Sequence, residues 1–172
     1  MIAPAILTAA VTLAVVLVLM LIELRVSVGN ERVLVARGAI APPDPVYPIM
    51  RVAYPATFVA MAVEGALSEP AGGGFVLAGA AIFVAGKLLK IWAIVALGSH
   101  WTYKVLVVSG ETLVTRGPYA WMRHPNYVGV VGELVGVALI TGAGITGPLS
   151  LVVFGWLLWR RIAAEEAALG LR

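Results

Sequence analysis

Two stretches of this chain, residues 1–22 and 134–159, carry no charged side chain at all. The first matches the roughly 20 apolar residues that a helix needs to cross a bilayer core. The second is longer than one crossing requires and contains Thr141-Gly142-Ala143-Gly144-Ile145-Thr146-Gly147-Pro148, a run that a helix does not continue through comfortably. It therefore reads as two short helices in a tight hairpin. Charged residues make up 12% of the chain and hydrophobic residues 61%, whereas soluble domains are about 25% charged. The expected class is all-α: one polytopic membrane unit spanning residues 1–172, with about five transmembrane helices. Residues 1–22 lack the basic start and clear cleavage site of a secretory signal, so they are read as a retained span.

Further apolar stretches lie near 46–67 and 71–97, and the second charge-free region divides into spans near 127–140 and 145–159. Pro42-Pro43-Asp44-Pro45 and Glu69-Pro70-Ala71-Gly72-Gly73-Gly74 mark breaks between spans. Arg25, Arg32, Arg37 and Arg51 are assigned to the first connection, and Lys104, Arg116 and Arg123 to the third. Arg160, Arg161 and Arg172 follow the fifth span, and Lys87 and Lys90 lie in the half of span three approaching the same side. By the positive-inside rule this puts the N-terminus outside and the C-terminus in the cytoplasm, in a cytoplasmic membrane. The net charge of +3 is spread singly along the chain and forms no basic stripe, so no nucleic-acid partner is expected. The chain has no cysteine, which excludes disulfides, thiolate metal sites and a cysteine nucleophile.

The segment 117–133 concentrates the polar chemistry. It holds one of only two histidines, two tyrosines, an arginine and a carboxylate, and polar groups at membrane depth are retained mainly for function. Proline restricts the residue before it to extended backbone, so His124-Pro125 reads as a loop entering the helix that contains Tyr127. His124 there could meet a carboxylate or a nucleoside hydroxyl, or could sit in an interfacial belt with Tyr119, Trp121 and Tyr127. Glu133 falls about 9 Å of helical rise beyond Tyr127 and calls for a partner or a wet cavity. Gly129, Gly132 and Gly136 permit close helix packing, or the space for a flat ligand. Arg161 and Glu165 are four residues apart on one helix face, with Glu166 beside them, and read as a surface ion pair or as site residues. Lys87 and Lys90 are expected to snorkel to the interface, and His100-Trp101 to anchor there. Two histidines 24 positions apart do not form a metal-ligand set, and no phosphate loop or GxGxxG is present.

The run 111–129, Glu-Thr-Leu-Val-Thr-Arg-Gly-Pro-Tyr-Ala-Trp-Met-Arg-His-Pro-Asn-Tyr-Val-Gly, closely resembles the signature of the isoprenylcysteine carboxyl methyltransferase family. Arg161-Ile162-Ala163-Ala164-Glu165-Glu166 resembles that family's second signature. The resemblance runs from about Lys90 to Glu166. It implies a membrane-embedded methyltransferase that binds S-adenosylmethionine in a cytoplasmic pocket of its last helices, without a Rossmann domain. Residues 1–70 would then be scaffold spans and 87–170 the catalytic and cofactor region. Carried over by motif, the cofactor contacts would be Thr112, Leu113, Val114, Tyr119, His124, Pro125, Asn126, Tyr127 and Glu165, with Arg161 facing an acidic group of the substrate. Lys90 stands where the family is expected to carry arginine, which would offer a bidentate contact that lysine does not. Lys90-Ile91-Trp92-Ala93-Ile94 and Leu97-Gly98-Ser99-His100-Trp101-Thr102, with Glu133 after the first signature, look like the bacterial branch that includes alkylpyrone and alkylresorcinol O-methyltransferases.

These implications leave the methyl acceptor open. A carboxylate acceptor is ionised near neutral pH and needs only orientation, for which Arg161 is suited. A phenol or enol needs a base, and Glu133 or His124 are the candidates. The substrate would be a lipophilic small molecule or a prenylated one, entering from the membrane lipids. Phospholipid amine N-methylation is the alternative within enzymes, and a membrane subunit or small transporter the alternative outside them.

Overall fold

The computed structural model describes residues 2–171; Met1 and Arg172, used above in the first span and in the topology, lie outside the described residues. Five helices follow one another: α1 (Ile2–Ala36), α2 (Tyr47–Leu67), α3 (Gly73–Leu97), α4 (Pro125–Thr141) and α5 (Thr146–Ala168). Short 3-10 turns at Gly98–His100 and Gly117–Ala120 interrupt the connection between α3 and α4. Two of the helical stretches, Ala3–Ala36 and Gly73–His100, are long and apolar enough to cross a membrane, with mean hydropathies of 2.9 and 2.0 over their most apolar windows. Their outward faces carry exposed Leu7, Val11, Val18, Leu77 and Leu88, the surface expected against lipid.

The first helix is longer than its charge-free segment. At 35 residues it extends ~52 Å, so Arg25 and Arg32 lie on α1 rather than in a connection, and Arg51 lies on α2. Charge does not stop the helix because the acidic side chains of this part have partners across it; α1 runs through Gly29, meets no proline after its first turn, and gives way to a turn at Gly38, whose φ is +82°. The chain then runs beside the α3–α4 connection. Ile40 and Val107 exchange both backbone hydrogen bonds, at 2.9 and 3.0 Å. Asp44 Oδ1 next accepts the backbone N–H groups of Val46 and Tyr47 at 3.1 Å each, satisfying donors that the start of α2 leaves open.

The closest packing is between α3 and α4, through glycine. A Cβ on Gly86 would stand 2.9 Å from the Gly129 carbonyl oxygen, and one on Gly136 would stand 2.7 Å from Phe83 Cβ. Of the two readings of this glycine series, the backbones' close approach is the one the helices display. The core lies on the other side of α4, where Phe58 and Met61 of α2 meet Leu134, Val137, Phe154 and Leu157. Gly142, at φ +71°, ends α4. The Glu64 carboxylate of α2 then receives the backbone N–H groups of Ile145 and Thr146 at 2.9 and 2.7 Å, holding the α4–α5 hairpin against α2.

Lys87 and Lys90 do not snorkel. Lys90 is 2% exposed, and the two ammonium groups sit between Glu23 of α1 and Glu133 of α4. Lys87 lies 2.8 Å from Glu23 and 2.9 Å from Glu133, and Lys90 lies 2.7 Å from Glu23 and 3.3 Å from Glu133. Tyr54 of α2 donates to Glu133 at 2.8 Å. Inside the bundle two cations and two anions compensate one another more completely than a single interfacial lysine could be compensated by headgroups.

Candidate functional site

A cavity opens where the α3–α4 connection folds over the start of α4 and the last turns of α5. Thr112, Leu113, Val114 and Tyr119 line it from the connection, His124, Asn126 and Tyr127 from the start of α4, and Arg161 and Glu165 from α5. Ten of the eleven residues singled out from the sequence thus fall within or next to one space: Pro125 is buried behind the lining, where it begins α4. Glu133 is the exception. It lies fully buried two turns deeper, among Lys87, Lys90 and Tyr54, and does not reach the cavity.

The α4 side is set by hydrogen bonds that fix ring orientation. Trp101, almost fully buried, donates its indole N–H to Asn126 Oδ1 at 3.2 Å. Tyr127 donates its hydroxyl to Glu165 Oε2 at 2.6 Å, and its ring stacks near that of His124 with centroids 5.6 Å apart. His124 Nε2 lies 3.1 Å from Glu166 Oε1. The imidazole therefore has the Glu166 carboxylate beside it and also belongs to an aromatic pair. Burial, with Glu165 close by, pushes the Tyr119 phenol above its ordinary range, so the phenol stays protonated and able to donate.

Arg161 and Glu165 are not paired with each other as their spacing suggested. Arg161 Nη1 forms an ion pair with Asp44, its Nη2 donates to the Tyr103 carbonyl at 2.5 Å, and its Nε faces the Tyr127 hydroxyl at 3.4 Å. The cause is burial: a guanidinium that is 5% exposed takes every acceptor within reach, and Asp44 is delivered by the connection that the Ile40–Val107 bridge holds in place. Tyr103 joins this region to the buried charges, because its hydroxyl donates to Glu23 at 3.3 Å. Burial and Glu23 raise the Tyr103 phenol above its ordinary range.

At the outer rim Glu111 holds Arg37 and His100, so His100 is a cavity residue with a carboxylate partner. The hydrogen bond from His100 and the Arg37 charge lower the Glu111 carboxyl below its ordinary range. Lys104 pairs with Glu31 of α1 at 2.8 Å. Sequence reasoning missed Asp44, Tyr103 and Glu111 as parts of the site. Asp44 was visible only as part of a proline-rich break, and nothing in the local pattern of Tyr103 signals that its carbonyl meets an arginine 58 positions away. Glu166 was visible, as the neighbour of Glu165. Among the described residues no group of three His, Cys, Asp or Glu side chains is arranged to hold a metal ion.

Residues 79–170 match the model of the isoprenylcysteine carboxyl methyltransferase family. The chain is 34% identical over 147 residues to the uncharacterized protein YpbQ of Bacillus subtilis (strain 168), covering 86% of this chain and 88% of that one. It is 32% identical over 94 residues to protein-S-isoprenylcysteine O-methyltransferase of Saccharomyces cerevisiae, covering 51% of this chain and 38% of the yeast protein. Protein-S-isoprenylcysteine O-methyltransferase B of Arabidopsis thaliana is likewise 32% identical over 94 residues, with 46% of its length covered. No solved structure matches the chain.

Proposed function

This chain belongs to the isoprenylcysteine carboxyl methyltransferase family, and from that premise we propose that it is an S-adenosylmethionine-dependent O-methyltransferase of the membrane acting on a lipophilic acceptor. The observation that carries the reading is the convergence of eight of the nine motif-derived cofactor positions, together with Arg161, on one cavity. In this reading all five helices cross the membrane, residues 87–170 form the catalytic and cofactor region, and the cavity faces the cytoplasm. The gathering of basic residues at that end, on its connections and on the adjoining turns of the helices, supports the orientation.

The donor set suits the cofactor. Glu165 supplies a carboxylate, and the Tyr119 and Tyr127 rings an electron-rich wall, for a sulfonium and an ammonium group. The apolar edge at Leu113 and Val114 would meet its base. S-adenosylmethionine, when bound, supplies a methyl group on a sulfonium that leaves as a neutral thioether once an acceptor oxygen has taken the methyl.

The chain's own contribution is position and exclusion of water. Tyr127 and Glu165 fix the wall between α4 and α5, Trp101 orients Asn126, and the buried charges hold α1, α3 and α4 beneath them. Of the two candidate bases, His124 is the one that lines the cavity, with Glu166 orienting its ring. Within this proposal Glu133 acts as a structural anion. The acceptor, a small lipophilic molecule or a prenylated one, would enter laterally from the lipid.

The test is calorimetric binding of S-adenosylhomocysteine to the detergent-purified protein and to its His124→Ala and Glu165→Ala variants. Micromolar binding by the wild type that both variants lose is the expected result. Absence of binding by well-folded wild type would favour a membrane subunit or small transporter instead.

A further inference from the structure

We propose that Asp44 determines acceptor specificity: by neutralising Arg161 it keeps the guanidinium from serving as an anion receptor, so the site selects a lipophilic acceptor with a neutral hydroxyl over one with a carboxylate. This deepens the methyltransferase reading and rests on it. Asp44 lies outside residues 79–170, the segment that matches the family model, so the inference concerns a residue contributed by the less similar half of the chain.

The first ground is how Asp44 is held. One carboxylate oxygen accepts the N–H groups of Val46 and Tyr47, which leaves the other directed to Arg161. Pro43 and Pro45 flank it, and their fixed φ limits how far this stretch can swing. The Tyr47 ring packs 5.7 Å from the guanidinium carbon. Asp44 and Arg161 side chains are 10% and 6% exposed, so water screens their attraction little.

The second ground is that the guanidinium is already occupied. Each of its three nitrogens faces a protein acceptor, Asp44, the Tyr103 carbonyl or the Tyr127 hydroxyl. The third is the charge state of the whole cavity. Its Lys and Arg residues each have a carboxylate partner: Lys104 has Glu31, Arg123 lies 3.8 Å from Glu166, and Arg161 has Asp44. A carboxylate acceptor would shed its hydration to meet a neutralised cation with Glu165 nearby. A hydroxyl acceptor makes no such demand.

The experiment compares 4-dodecylphenol with 4-dodecylbenzoate, two probes with one apolar tail and different heads, on the full chain in detergent with S-adenosylhomocysteine bound. Quenching of tryptophan fluorescence gives the two affinities, since Trp101 lines the cavity. Asp44→Asn retains the oxygen that caps α2 and removes the charge, and Asp44→Ser serves the same purpose if the asparagine form does not fold. The wild type is expected to prefer the phenol. In the variant, the benzoate-to-phenol affinity ratio should rise ~10-fold or more, the size of one recovered charge-assisted hydrogen bond. General loosening of the site would weaken both probes together and leave that ratio fixed, which would overturn the proposal. Equal affinity of the wild type for both probes, or no benzoate binding by a variant that still binds S-adenosylhomocysteine, would overturn it as well. Failure of the wild type to bind S-adenosylhomocysteine would instead remove the methyltransferase reading itself.

Discussion

The Tyr127 hydroxyl donates to the Glu165 carboxylate across 2.6 Å, tying the first turn of α4 to the last turns of α5. The same oxygen faces Arg161 Nε, so one phenol lies between an anion and a cation on one helix. Removing it leaves both without that contact. Tyr127→Phe is expected to weaken S-adenosylhomocysteine binding by ~10-fold, the usual consequence of leaving a charged group short of one hydrogen bond. Titration calorimetry on the two proteins checks this; unchanged affinity would mean that Glu165 needs no help from Tyr127 to form the wall.

Glu133 can be separated from a catalytic base by comparing stability with turnover. Its removal leaves Lys87 and Lys90 sharing the single carboxylate of Glu23, and breaking a buried pair typically costs about 3 to 5 kcal/mol. Glu133→Ala should lower the thermal midpoint in detergent strongly, followed by circular dichroism. Combining it with Lys87→Met should recover part of the loss. A general base would give the opposite pattern, with normal stability and abolished methyl transfer.

The α3–α4 seam predicts a steric effect. At Gly136 an added methyl group would stand 2.7 Å from Phe83 Cβ and 2.8 Å from the Gly79 carbonyl oxygen, with backbone on the far side. Gly136→Ala should destabilise by roughly 1 to 3 kcal/mol, as overpacked cores do. Gly155, where an added methyl group would meet nothing within 4 Å, is the control, and Gly155→Ala should not destabilise. Parallel thermal melts measure both.

Acid should release the rim of the cavity. The Glu111 carboxyl is held below its ordinary range in the folded chain by His100 and Arg37. A depressed folded value means that its contribution is complete above the ordinary carboxyl range and is lost as pH falls through the lowered value. Protection of the amides in residues 107–113, taken as exchange relative to an unfolded peptide at the same pH, should therefore fall in acid below the ordinary carboxyl range. In Glu111→Gln the protection should be low already at neutral pH and lose most of that dependence.

Five helices were legible because apolar runs and Gly/Pro breaks are local signals, and eight of the nine expected cofactor positions line one cavity because the two signatures carry one connection and two helix ends. The end of α1 was not legible. A charge normally marks the limit of a span, yet Glu23 continues the helix because its partners Lys87 and Lys90 arrive from α3, some 64 positions away in the case of Lys87. The same reason hid the fate of the lysines. The Asp44 partner of Arg161 was hidden for a related cause: helix periodicity reports the neighbour at four residues, Glu165, but not an aspartate brought in by a different connection. Local pattern finds elements; ion pairing across elements depends on which buried charges the packing leaves in reach.

The glycine seam has a mechanical consequence. Where Gly86 and Gly129 bring two backbones together no side chain separates them, and the pairs of Lys87 and Lys90 with Glu133 clamp the same two helices, so α3 and α4 are expected to move as one beam. On the proposed function, breathing that admits an acceptor from the lipid would then occur elsewhere. It falls to the flanks, where α1, α2 and α5 meet that beam through side chains that can yield.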